Sequence, residues 1–125
     1  MYNGVERRKY KRVKKPFIIS FQIREPGAPA KKYGWDIVAA LDIGAGGMLF
    51  YYNKRFSVGT ELDLKINYSV DKDPLICSGK VIRSLPTPTD MLYFIAVVFA
   101  DIADADRKAL NDTIEIFHAG DHVKG

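Results

Sequence analysis

Two stretches of this chain hold residue types that can grip a phosphate-bearing ligand. The first, Arg7-Arg8-Lys9-Tyr10-Lys11-Arg12, contains Arg-x-x-x-Arg as Arg8 and Arg12. The second, Asp42-Ile43-Gly44-Ala45-Gly46-Gly47, sets a carboxylate beside several glycines. A guanidinium is a planar fork that pairs with phosphate oxygens, and the same fork matches O6 and N7 of guanine. It also stacks on a base face better than an ammonium does. A carboxylate such as Asp42 complements it as an acceptor for N–H donors. A glycine such as Gly47 permits a strained turn and a close backbone approach. Taken singly, the basic run is also a solvated tail and the glycine stretch a tight turn.

Other chemistry is hard to assemble. His118 and His122 lie near the C-terminus with no carboxylate or cysteine at metal-ligand spacing, which makes them surface histidines. Cys77 stands in an apolar run, where a small core residue is expected rather than a reactive thiol. Asp101, Asp104 and Asp106 cluster at the start of a helical pattern, where the helix dipole favours acids. The glycine stretch lacks the later glycine of a dinucleotide fingerprint and no Gly-Lys-Ser/Thr follows it. The expectation is a binding module rather than an enzyme, with no metal and no cofactor.

The elements that must position these residues are mostly strands. Phe17 to Arg24 alternates, with Phe17, Ile19, Phe21 and Ile23 on one face. Pro26, Gly27 and Pro29 break that strand. Tyr33 to Leu41 reads as the second, with Trp35, Ile37, Ala39 and Leu41 on one face, and the glycine stretch ends it. Met48 to Tyr52, Glu61 to Tyr68 and Leu75 to Leu85 read as three more strands. Leu92 to Phe99 is continuously apolar and reads as a strand buried on both faces. The period then changes, and Leu110, Ile114 and Phe117 form one stripe of a helix from about Asp104 to His118. Asp101 and Asp104 are candidate N-caps, and Gly120 is a candidate C-terminal stop. The expected fold is mainly β: a six-stranded antiparallel barrel with a C-terminal α-helix packed on its open end. It divides into a flexible basic arm over 1–15, a barrel and helix over 16–118, and a tail over 119–125.

The charge is unevenly placed. The chain has 125 residues and a formal net charge of +4. Residues 1–15 hold seven Lys or Arg against the single acid Glu6, a local +6, so the rest of the chain sums to −2. Such a patch suits a small nucleotide, a nucleic acid or an anionic lipid. The body has no basic strip with interleaved aromatics of the kind single-strand binders use, which argues against nucleic acid. One cysteine excludes an internal disulfide and suits a reducing cytoplasm. No apolar run approaches the ~20 residues of a membrane span, and no signal segment is apparent.

In this order and spacing the motifs resemble those of the PilZ domain family. The family carries Arg-x-x-x-Arg in an N-terminal arm and Asp/Asn-x-Ser-x-x-Gly on the barrel. Arg8 and Arg12 match the first motif; Asp42 and Gly47 match the second, with Gly44 in place of the serine. Gly59-Thr60-Glu61-Leu62, Ser78-Gly79-Lys80-Val81-Ile82-Arg83 and Tyr93-Phe94-Ile95-Ala96-Val97-Val98-Phe99 resemble further family strands. The helix with Arg107 and Leu110 resembles its C-terminal helix. The likeness runs from about Glu6 to Phe117. It implies a cytoplasmic bacterial receptor for cyclic di-GMP, with Arg7, Arg8, Arg12, Asp42, Gly44, Gly47 and Arg83 as ligand-binding residues. It further implies a downstream protein partner and a monomer or weak homodimer. The alternatives are a PilZ-like protein-interaction module that does not bind nucleotide and, from another class, a nucleic-acid-binding barrel.

Overall fold

The computed structural model describes residues 12–13, 17–24, 35–89 and 91–124, with side chains through 117. It contains β1 (Arg12–Val13), β2 (Phe17–Ile23), β3 (Asp36–Gly44), β4 (Gly47–Tyr52), β5 (Glu61–Asn67), β6 (Leu75–Pro86), β7 (Tyr93–Asp101) and the helix α1 (Asp104–Lys124). All pairings are antiparallel. The order β3-β2-β5-β6-β7-β4 closes on itself because β4 also pairs with β3. The result is a six-stranded barrel, with the short β1 added to β3 beyond the end of β2.

Period-2 alternation fills the barrel. Ile19, Phe21, Leu62, Leu64, Ile66, Val81 and Ile95 point inward and are completely or almost completely buried. Each such side chain contributes roughly 1.5–3 kcal/mol of transfer free energy. Phe21 makes edge-on contacts with Tyr52 and Phe56, with ring centroids 5.1 and 5.8 Å away. Leu110 and Ile114 of α1 are fully buried in the same core, and Phe117 meets Phe17 edge-on at 5.7 Å. The helical stripe thus joins the strand core, as its spacing requires.

Four local expectations are corrected. First, the second strand does not keep Ile37, Ala39 and Leu41 on one face throughout, and the face of Ile37 is the outer one: Ile37 is 71% exposed, while Ala40 is buried and Val38 packs against the core. A β-bulge between Ala40 and Asp42 is the cause. Counting back by twos from the buried Ile43 points 41, 39 and 37 inward; the extra residue exchanges the faces. Second, the glycine stretch does not end the strand. β3 runs through Gly44, and Ala45-Gly46 alone forms the turn into β4. Third, β7 is not buried on both faces. Ile95, Val97 and Phe99 are inside while Val98, 40% exposed, looks outward, because an antiparallel barrel wall has one solvent face. Fourth, the helix passes Gly120 and continues to Lys124, and Asp101 belongs to β7 rather than to a cap. Asp104 and Asp106 occupy the first helical turn, where they complement the dipole.

Candidate functional site

The end of β3 is the junction of the barrel, since β1 and β4 flank it there on opposite sides. Arg12 pairs in register with Gly44, and Gly44 pairs with Gly47. This brings the last arginine of the first motif against the second motif. Arg12 Nη1 lies 3.5 Å from Asp42 Oδ2 in a diagonal ion pair. Within the basic segment, Arg12–Val13 forms a strand on the barrel. Arg7 and Arg8 lie outside the described residues.

Asp42 holds the most telling geometry. Its side chain is 15% exposed, and its Oδ1 is buried without a hydrogen-bond partner among the described residues. An unpaired buried carboxylate oxygen carries a desolvation cost of about 1–3 kcal/mol or more that a suitable donor relieves. The bulge before Asp42 accompanies its outward direction, between the inward Ala40 and Ile43.

Register extends the site across the outer wall. Asp42 pairs with Leu49, Leu49 with Ala96, and Ala96 with Arg83, which is exposed. Three strand steps of about 4.8 Å each separate Asp42 from Arg83. Arg12, Asp42, Gly44 and Gly47 are thus brought together, while Arg83 stands on the same row at the far side of an apolar floor. That floor, Leu49, Ala96 and Val98, was missed in the sequence because the apolar run of β7 reads as a buried strand. Gly47 has a structural role besides any ligand contact: a Cβ there would stand 2.3 Å from the Val97 carbonyl oxygen. Among the described glycines only Gly59, in the turn before β5, has a positive φ, 96°. The second motif is therefore a regular hairpin, without the strained turn that its glycines suggest.

Cys77 is buried, and burial followed by the charges of Asp106 and Asp101 pushes its thiol up to about 12. Such a thiol is protonated at neutral pH and a poor nucleophile. Among the described residues, no three His, Cys, Asp or Glu side chains converge as a metal centre requires. No helix among them is long and apolar enough to cross a membrane.

Comparison with protein families matches the PilZ domain over residues 6–115. The chain belongs to the PilZ domain family. Solved structures agree with this at the level of fold. The inhibitor of motility MotI/DgrA of Bacillus subtilis is 19% identical with a TM-score of 0.75, over 91% of this chain and 52% of that one. The PilZ domain of YcgR from Escherichia coli, solved with c-di-GMP, is 13% identical with a TM-score of 0.62, over 94% and 96%. A tetrameric PilZ protein from Xanthomonas campestris, self-assembled through a helical bundle, is 13% identical with a TM-score of 0.57, over 74% and 52%. This PilZ chain thus spans about half the length of the Bacillus and Xanthomonas proteins. No curated protein matches its sequence.

Proposed function

We propose that this PilZ domain is a cytoplasmic receptor for cyclic di-GMP that acts through binding, not catalysis. The observation that carries the reading is the buried Asp42 Oδ1, unpartnered among the described residues, beside the Arg12 guanidinium on the outer barrel wall. A guanine edge supplies the N–H donors that this oxygen lacks, and the ligand's phosphates suit Arg12. Arg8 is four residues from Arg12 and so within about 14 Å of it on any path. It can reach a second group of the same ligand, with Arg7 beside it. Gly44 and Gly47 add no side chain of their own to the wall next to Arg12. The apolar floor of Leu49, Ala96 and Val98 offers a surface for a base face, and Arg83 closes the row. The bound ligand draws the segment before β1 over the barrel and so presents a new surface to a protein partner. The YcgR PilZ domain, solved with c-di-GMP, supports the same ligand class.

Calorimetric titration tests this directly. Cyclic di-GMP is expected to bind at micromolar or tighter affinity, and cyclic di-AMP much more weakly. Arg12→Ala and Asp42→Ala should each weaken binding by about 1.5–3 kcal/mol, tenfold or more, as expected for a contact to a charged group. Absence of heat at excess ligand would leave the domain as a PilZ-like protein-interaction module.

A further inference from the structure

The outer wall beside Asp42 carries a pair of aromatic rings that no motif of the sequence marks. Alternation fixes which side chains face out there. On β4, Met48 and Phe50 are buried in the core, so Leu49 and Tyr51 look outward. On β7, Ile95 and Val97 are buried, so Phe94 and Ala96 look outward. Tyr51 pairs in register with Phe94, and Phe94 with Leu85. This row lies two residues along the strands from the row of Asp42, Leu49, Ala96 and Arg83, so the two rows form one continuous surface.

Tyr51 and Phe94 meet with ring centroids 4.8 Å apart and planes inclined by 42°. A cross-strand aromatic pair supports the sheet. Tyr51 is nonetheless 40% exposed, and Leu85 in the same row is 48% exposed, so the row still offers an open apolar face. The polar groups of the neighbouring row decide what that face can take. Asp42 is the only acid in the two rows, and Arg83 is exposed with no ion pair among the described residues. The wall thus joins an acceptor at Asp42, an unpaired cation at Arg83 and a ring surface at Tyr51. An apolar protein segment would cover the rings but answer neither Asp42 Oδ1 nor Arg83. A base with N–H donors, a phosphate and a second flat base answer all three. One strand step of about 4.8 Å and two residues of about 3.4 Å put Tyr51 roughly 8 Å from Asp42 along the wall. Since the Asp42 carboxylate can hold the donor edge of one base only, the other base of a dinucleotide needs a place of its own.

We propose that Tyr51 and Phe94 form the stacking platform for the second base of the cyclic dinucleotide whose first base is held at Asp42. The platform rests on the receptor reading for its ligand. Stacking on an aromatic ring tolerates any base, so these two residues set affinity while the choice of base stays with Asp42.

The full chain and its Tyr51→Phe, Tyr51→Leu and Phe94→Leu variants are titrated with cyclic di-GMP by calorimetry, with urea midpoints to establish that each variant is folded. Tyr51→Phe keeps the ring and should bind like the wild type. Tyr51→Leu keeps apolar bulk without the ring and should bind about tenfold more weakly or worse, and Phe94→Leu roughly threefold or more. On the unaltered protein, the Tyr51 ring protons should move upfield in the NMR spectrum as ligand saturates, which a ring that only supports the sheet would not do. Wild-type affinity in both leucine variants, or Tyr51 ring signals that stay in place at saturation, would overturn the platform. The receptor reading would survive that result so long as the wild type binds and Asp42→Ala weakens it. Equal losses in Tyr51→Phe and Tyr51→Leu would assign the contact to the hydroxyl and overturn stacking. No heat from the wild type would overturn the receptor reading and the platform together.

Discussion

Arginine and aspartate announce their chemistry by type, and Arg12 and Asp42 were legible for that reason. Leu49, Ala96 and Val98 were not, because a leucine or valine becomes part of a site only through its cross-strand neighbours. Glycine sits between these cases. Gly47 matches the motif, but its nearest constraint is the Val97 carbonyl oxygen 2.3 Å from where a Cβ would be. Gly47→Ala should therefore destabilise the barrel by about 1–3 kcal/mol, read as a lower midpoint in urea unfolding with or without ligand. Gly44 is different. Its φ is not positive, so a side chain meets no left-handed backbone there. It pairs with Arg12, so an added hydroxyl lies beside the proposed ligand site. Gly44→Ser should tighten cyclic di-GMP binding by roughly threefold to tenfold, the worth of one net hydrogen bond. Unchanged affinity in a folded Gly44→Ser protein would deny the serine of the family motif any role here.

At the scale of elements, the strands were legible because alternation over β2 and β5 follows directly from burying one face. β3 misled because one extra residue at the bulge inverts the phase, and nothing in the residue types between Ala40 and Asp42 marks it. β7 misled for a different reason: its outer face is apolar, so no alternation appears although the wall is one-sided. The helix was found by its stripe, and its far end was misjudged because a single glycine does not stop a helix. Ile114 is fully buried against the barrel core. Ile114→Ala should cost about 2–5 kcal/mol in unfolding free energy, since the strands around it cannot collapse into the gap. Circular dichroism on heating would register this as loss of helix and sheet together, not as a separately melting helix.

At the scale of the whole molecule, two groups with raised pKa values make stability fall at alkaline pH. The Cys77 thiol is raised from 9.0 to about 12, chiefly by burial, then by Asp106 and Asp101. The Tyr52 phenol rises from 10.0 to about 12, by burial first and then by its hydrogen bond to Asp36. Both groups ionise earlier in the unfolded chain than in the folded one. Their contribution is therefore complete below pH 9 and is lost as pH rises toward 12. Urea midpoints should be flat with respect to these groups up to about pH 9 and fall above it. Cys77→Ala should flatten the first part of that fall.

Closure of the barrel also bears on how the protein behaves in a crowd. Each of the six barrel strands has a hydrogen-bonded neighbour on both sides. Among the described residues the added strand is β1, two residues long. An open strand edge is a template for recruiting another chain, and two residues are too short to serve as one. Among the described residues, topology therefore leaves no long edge for edge-to-edge polymerisation. An outer wall with exposed apolar side chains can then exist without seeding fibres, because association through it is face to face and chosen by side chains.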